Sequence, residues 1–499
     1  MPEATTTTTY VGTAQYGKRV NPKTLDMALN AGHAAKEARK KAASEKDGKD
    51  KKIRTCETNT SNIHEAEVET LKSNAQEFPA TEEQEAQVKS TFIESLDLGA
   101  ICALASSFNA CFFVKFEQDG PQWVVRVPIE PILDNPWVKV LSEVATIEYL
   151  ERETRILVPH VHAYGRDAEL TKTSTRTQAF LIVDAIQGEP LDKKLLIEAE
   201  EEHRRNFYSQ LIDILAELRQ LEFPLIGSLM PNPDGSPKPI LGPVMPMSAA
   251  TLRLPSQSRF SSAREYMKYQ FGLVSDFFSP PVSNHTVDDI KQEMFSLHCM
   301  ERIFDQVIDH QLDKGPFVLN HLDLRGPNII VDKNLRIQGI VDWEFAHTVP
   351  RQVFTPPSWI TGHDSIDTNK EMHTEFRSVL DENSQDNSLW EQLEREWYGT
   401  GKSKDQTDMA FCVAHVLRRP ADAIEIFEDF FDQKLLDKSF DDSVSEFFND
   451  NQAAALEAQR RAEQCERYTK YLEENGLYET ETDKLLAESK ALKAKWGWE

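Results

Sequence analysis

Residues 317–344 read FVLNHLDLRGPNIIVDKNLRIQGIVDWE. Phe317-Val318-Leu319 is a short apolar strand. His321 to Asn328 is a loop, punctuated by Gly326-Pro327. Ile329 to Asp332 and Ile337 to Val341 are two more apolar strands, with Asp332-Lys333-Asn334 as the turn between them. The spacing therefore predicts a strand, a loop and a hairpin. Three polar side chains fall at one end of that hairpin: Asp323 and Asn328 on the entering loop, and Asp342 where the second strand leaves. A single Asp in such a loop would be read as a turn cap, but the full set on rigid supports suits phosphoryl transfer, whose catalysis is mostly positioning and charge stabilisation. Asp323 can orient a hydroxyl and accept its proton. Asn328 and Asp342 can hold Mg²⁺, a hard cation that prefers oxygen ligands.

The order His-x-Asp, then Asn five positions on, then Asp fourteen positions further, follows the pattern of kinase catalytic and metal loops. In its wording, HLDLRGPN…IVDWE resembles aminoglycoside phosphotransferases and choline kinase-like proteins, particularly their fungal-type branch. The resemblance covers roughly residues 95–365. It implies an α+β, protein-kinase-like two-lobed fold, with a small β-sheet N-lobe and a large, mainly helical C-lobe. It further implies ATP and Mg²⁺ as cofactors and a hydroxyl of a small molecule as acceptor. Glu344 stands where this family often has an acid in its metal loop, and His321 is expected to hold the loop rather than to react. No His-Arg-Asp, Asp-Phe-Gly or Ala-Pro-Glu signature is present, which disfavours a protein kinase.

On the nucleotide side, Cys111 to Phe116 and Trp123 to Val127 read as a hairpin around Asp119-Gly120-Pro121. A helix follows, with Trp137, Leu141, Val144, Ile147 and Leu150 as its apolar positions. The strand Ala179 to Val183 then runs through Asp184 into Gln187-Gly188, the position of a hinge. By resemblance, Arg126 is the basic residue that pairs with nucleotide phosphates. Kinases more often use Lys there, and Arg is not its equivalent. Glu143 is the helix carboxylate chosen to pair with it, ahead of Glu148. The phosphate loop would be Leu104 to Asn109. It has no glycine, so Ser106, Ser107 and Asn109 are the candidate donors. The substitution of Arg and the glycine-free loop leave one alternative open. A catalytically weak or inactive pseudokinase would serve as a nucleotide- or partner-binding module on the same fold.

Farther out, Phe207, Leu211, Leu215 and Leu218 mark an amphipathic helix, residues 224–260 are Pro- and Gly-rich, and helices are predicted over 262–277, 290–312 and 452–496. Trp359 offers a flat apolar wall beside the catalytic loops. The expected organisation is a disordered N-terminal segment (1–85), an N-lobe (86–187), a C-lobe (188–480) and a helical tail (481–499). Residues 1–54 carry a net charge of +6 against −32 for the remainder, with a transient helix expected near Leu25 to Ala43.

The formal net charge of −26 over 499 residues argues against a nucleic-acid surface. No apolar run is long enough to cross a bilayer, so no membrane partner is expected. The six cysteines, Cys56, Cys102, Cys111, Cys299, Cys412 and Cys465, form no C-x-x-C pair. The N-terminus has no apolar leader, and Glu3 and Asp26 interrupt a mitochondrial presequence, so a cytoplasmic location is expected.

Overall fold

The computed structural model describes residues 78–96, 103–105, 109–115, 122–171, 177–364, 370–399 and 403–478. Ser106, Ser107, the turn Asp119 to Pro121 and the expected N-terminal helix lie outside these residues, as does the sequence after Tyr478.

The first half is an antiparallel sheet in the order β1-β2-β3-β5-β4, formed by β1 (Ala103–Ala105), β2 (Asn109–Lys115), β3 (Gln122–Pro128), β4 (Val161–Ala168) and β5 (Gln178–Asp184). Strands β2 and β3 pair with Phe112 opposite Val125 and Cys111 opposite Arg126. The period-2 alternation of a half-buried strand sends Ala110, Phe112 and Val114 inward and leaves Phe113 exposed. Phe112, Val125, Val127, Phe180 and Ile182 form the core on this face.

Helix α1 (Pro136–Glu153) crosses between β3 and β4. Its start is set by Asn135, whose side chain accepts from the Val138 amide, and by Pro136 in the first turn. Val144, Ile147 and Leu150 are buried as the apolar spacing requires, but Trp137 and Leu141 are only half-buried. The buried stripe instead widens through Lys139, Val140, Ser142 and Glu143. The reason is that α1 packs on the turn at Trp343–Phe345 and on Leu229–Met230 as well as on the sheet.

After β5 the chain passes Gly188 and forms β6 (Glu189–Pro190), which pairs with β11 (Ile329–Val331). Gly188 has φ +137, and a Cβ there would meet the Val331 carbonyl oxygen at 2.6 Å, so no other residue fits without a shift. Helix α2 (Glu201–Gln220) buries Phe207, Leu211, Leu215 and Leu218. The Pro- and Gly-rich stretch contains β7 (Glu222–Phe223), the small hairpin β8 (Leu229–Met230) with β9 (Ile240–Leu241), and a short helix at Met247–Thr251. Two three-stranded sheets follow. One is β13-β10-β7, with β10 at Phe317–Asn320 and β13 at His347–Pro350; the other is β12-β11-β6, with β12 at Ile337–Ile340. Farther on, helix α3 (Lys404–Arg418) starts at a capping box between Ser403 and Gln406.

These elements belong to one compact unit. Described residues 78–86, 278–299 and 432–478 belong to a second. It has its own aromatic packing: Phe295 against Phe440 and Phe447, and Phe78 stacked on Tyr471 with Tyr468 beside it. Among the described residues, no helix is long and apolar enough to cross a membrane.

Candidate active site

Strand β10 delivers the chain to His321, and the loop then folds tightly enough that a Cβ at Gly326 would meet the Leu191 carbonyl oxygen at 2.6 Å. His321 is buried. Its Nε2 lies 2.9 Å from the Val341 carbonyl and its Nδ1 accepts from the Asp323 amide at 3.3 Å. A carbonyl can only accept and an amide N–H can only donate, which fixes the Nε2–H tautomer. Burial also holds its pKa below the ordinary histidine value, so the ring stays neutral. It packs on Trp343, with ring centroids 4.5 Å apart. These contacts tie the loop to the end of the hairpin.

Asp323 is nearly buried. Its Oδ2 accepts from Arg325 Nε at 3.0 Å and from Asn328 Nδ2 at 3.1 Å. Asn328 Nδ2 also donates to the Asp323 carbonyl at 2.8 Å. The Val341 amide donates to the Asn328 carbonyl at 3.0 Å, which brings Asn328 beside the residue that precedes Asp342. Asp342 adopts the left-handed conformation, φ 70 and ψ 51, which Asp tolerates better than most residues.

Across from the hairpin, Arg126 reaches out of β3. Its guanidinium pairs with Glu143 of α1, with Asp342 Oδ1 at 2.5 Å and with Glu344 at 3.3 Å. Glu148, the other helix carboxylate considered, is exposed. Lys139, one helical turn before Glu143, forms a buried ion pair with Glu344. Asn109 is buried too, and its Nδ2 donates to Glu344 at 2.5 Å. The candidate phosphate-loop residue is thus engaged with the metal-loop acid. Lys139 was missed by the sequence reading, although its i, i+4 spacing to Glu143 was a usable signal.

Three carboxylates therefore share two cations in a buried volume. Burial pushes Glu143 up to about 7, against the pull of Arg126, with Glu344 and Asp342 adding to the rise. Burial also opposes ionisation of Asp342, but Arg126 and its hydrogen bond, with Lys139 and His321, outweigh it and hold that carboxyl below its ordinary value. Of these two, Asp342 holds its charge and Glu143 takes up a proton first.

Among the described residues, no cluster of three or more His, Cys, Asp and Glu forms a metal-binding group. The oxygens that remain suit a different donor set. Among the described residues, Asn328 bonds only through its Nδ2, leaving Oδ1 to accept, and Asp342 is engaged only through Oδ1, which faces Arg126. One amide and one carboxylate oxygen match Mg²⁺, which takes few protein ligands and completes its shell with water and phosphate.

Beside these groups opens a cavity of about 730 Å³ whose wall includes Asp323, Asp342, Glu344, Met247, Trp359 and Arg418. This is within the range of small-molecule sites. Trp359 is nearly buried, and its Nε1 donates to the Leu324 carbonyl at 3.0 Å, so the indole is both a wall of the cavity and a support of the loop from His321 to Asn328.

The Phosphotransferase enzyme family (APH) model matches residues 103–352, half of the chain. The chain belongs to this family. The matched residues run from β1 to the end of β13's neighbouring turn, so they hold every candidate named above except Trp359 and Arg418. A curated relative, the Clavilactone A biosynthesis cluster protein Y of Ampulloclitocybe clavipes, is 24% identical over 242 residues, covering 46% of this chain and 55% of its own length. The chain thus spans about half the length of that relative. Two solved structures align over larger shares. An amicoumacin kinase in complex with AMP-PNP and Ca²⁺ is 12% identical, covering 74% of this chain and 92% of its own, with a TM-score of 0.40. An ethanolamine kinase of Plasmodium vivax is 13% identical, covering 79% and 95%, with a TM-score of 0.35. Both scores fall below 0.5, so the two-lobed α+β assignment rests on the chain's own elements and on the APH match.

Proposed function

We propose that this chain is an ATP- and Mg²⁺-dependent phosphotransferase acting on a hydroxyl of a small molecule. The observation that carries the reading is the meeting of Asp342 with Arg126, 216 residues away in sequence, beside the Asp323–Asn328 pair. In this reading Asp323 accepts the proton of the acceptor hydroxyl as its oxygen bonds to the γ-phosphorus. The bond from that phosphorus to the β,γ-bridging oxygen breaks, and ADP leaves. Asn328 and Asp342 would hold Mg²⁺, which supplies charge neutralisation at the phosphates. Arg126, held by Glu143, would face the nucleotide phosphates. The name of the curated relative, a biosynthesis cluster protein, fits a small-molecule acceptor.

Two substitutions test the reading by failing differently. Asp323→Asn keeps the shape and loses the proton acceptor. It is expected to retain Mg²⁺-dependent ATP affinity in isothermal titration while turnover falls roughly 10²- to 10⁴-fold. Asp342→Asn is expected to weaken ATP binding itself. A pseudokinase would bind nucleotide and show no wild-type turnover, not even slow ATP hydrolysis. Wild-type protein that binds no ATP would overturn the nucleotide site. Loss of binding in Asp323→Asn but not in Asp342→Asn would reverse the two roles.

A further inference from the structure

Four basic residues, Lys193, Arg325, Arg418 and Arg419, line the cavity in a chain whose net charge is −26. Lys193 is exposed, and two of the others are already engaged. Arg325 donates to Asp323 at 3.0 Å, and Arg419 Nε lies 3.2 Å from Asp422. The two cations on the nucleotide side, Arg126 and Lys139, are held in buried ion pairs. Arg418, the last residue of α3, is different. Its guanidinium donates to Ser358 Oγ at 3.0 Å, with His415 Nδ1 at 3.5 Å. Ser358 carries no charge, and no carboxylate of the described residues lies within ion-pair distance of Arg418.

That placement is built rather than incidental. Asp422 Oδ2 lies 2.7 Å from His415 Nε2, and a carboxylate there selects the Nε2–H tautomer. His415 Nδ1 is then an acceptor for the Ser358 hydroxyl at 2.9 Å. The Ser358 oxygen in turn faces Arg418. The relay from Asp422 through His415 and Ser358 fixes one end of the guanidinium and leaves the rest of its donors to the cavity. Burial pushes Arg418 below the ordinary arginine value, only partly offset by the more distant Asp323 and Asp364. A cation desolvated without a counter-ion is costly, and an anion entering the cavity would supply the missing partner in the planar geometry that guanidinium favours.

Building on the phosphotransferase reading, we infer that the acceptor carries an anionic oxygen group, a carboxylate or a phosphate ester, which Arg418 binds while the acceptor hydroxyl faces Asp323. The acceptor is a hydroxylated acid rather than an amine.

Isothermal titration of the full chain tests this, with AMP-PNP and Mg²⁺ first and four polyols next: D-gluconate, glucose 6-phosphate, neutral D-glucitol and cationic D-glucosamine. At least one of the two anions is expected to bind roughly 10- to 100-fold tighter than D-glucitol, the scale of a charged hydrogen bond, and D-glucosamine no tighter than D-glucitol. Gluconate alone indicates a carboxylate and the phosphate ester alone indicates a phosphate. Arg418→Met is expected to remove the preference, and Arg418→Lys to restore part of it, without change in AMP-PNP affinity. No preference for either anion, a preference for the amine, or a preference that survives Arg418→Met in folded protein overturns the assignment. Should Arg418→Met not fold, the wild-type ordering decides. The polyol titrations are also run without nucleotide. Absent AMP-PNP binding then overturns the phosphotransferase reading, while the ordering of the polyols still judges the anion site.

Discussion

Lys139 and Glu344 are 205 residues apart in sequence and form a buried ion pair. Breaking such a pair from one side strands a charge in a dry environment, which typically costs 3–5 kcal/mol. Lys139→Met is therefore expected to lower unfolding stability by about that amount in urea titrations, and Lys139→Met with Glu344→Gln to regain more than half of it. A single variant as stable as the wild type would mean that Glu344 is served well enough by Asn109 and Arg126. Trp359 has a separable role. Trp359→Phe keeps an aromatic plane but loses the donor to the Leu324 carbonyl, and Trp359→Ala loses both. Acceptor KM is expected to rise more than ATP KM in the Ala variant and least in the Phe variant, with equal rises in both KM values counting against an acceptor wall. Asp323, Asn328 and Asp342 could be singled out from sequence because three polar side chains fall at one end of a hairpin of apolar strands. The pairing of Arg126 with Glu143 was suggested by helix periodicity, which puts Glu143 on the face of Ile147 and Leu150. Arg418 gave no such signal, because its meaning depends on which groups surround it in space.

Short strands place chemistry in this fold, and β13 shows how tightly. His347, paired opposite Asn320 of β10, is fully enclosed. Its Nδ1 lies 3.1 Å from the Phe345 carbonyl and its Nε2 2.9 Å from the Tyr266 hydroxyl. Burial pushes its pKa down to about 4, against the pull of the Phe345 carbonyl. The unfolded chain takes up a proton near 6.5 and the folded chain does not, so unfolding gains protons as the pH falls. The contribution of this group is fully present above about pH 6.5 and is lost as the pH drops towards 4. His347→Gln removes that slope. The stability advantage of wild type over the variant is expected to shrink by roughly 2 kcal/mol between pH 7 and pH 5. A difference that stays constant would place the histidine's proton elsewhere. The elements themselves were largely legible, since β2, β3, β5, α2 and the β11–β12 hairpin follow from period-2 and period-3.6 patterns. Helix α1 was only half legible. Its periodicity puts Glu143 on the apolar face, but Lys139 reads as solvent-facing until a second packing surface is known, and that surface comes from a turn two hundred residues later.

At the scale of the molecule, residues 1–54 carry little apolar surface and the opposite charge sign to the rest, whereas Phe78 stacks on Tyr471 at 5.0 Å within the second unit. Removing residues 1–77 is expected to leave the melting temperature nearly unchanged, while Phe78→Ala costs about 1 kcal/mol, the scale of an aromatic pair. Calorimetry on the two proteins separates these effects, and a large loss from the truncation would show that the segment packs on the body. The grouping of 278–299 with 432–478 could not be read in advance, because amphipathic helices announce an apolar face but not its partner. Strand β6, just after the hinge, could not be read either, since two residues make too short a strand to show a period. Its pairing has a practical outcome for recombination between relatives. Because Glu189 and Pro190 are laid against Val331 and Ile330, a crossover placed after Pro190 would graft a foreign edge strand onto the hairpin that bears Asn328 and Asp342. A chimaera that exchanges the small sheet is best joined between Asp184 and Gly188, with the glycine kept, so that the recipient supplies every strand beside its own catalytic loop.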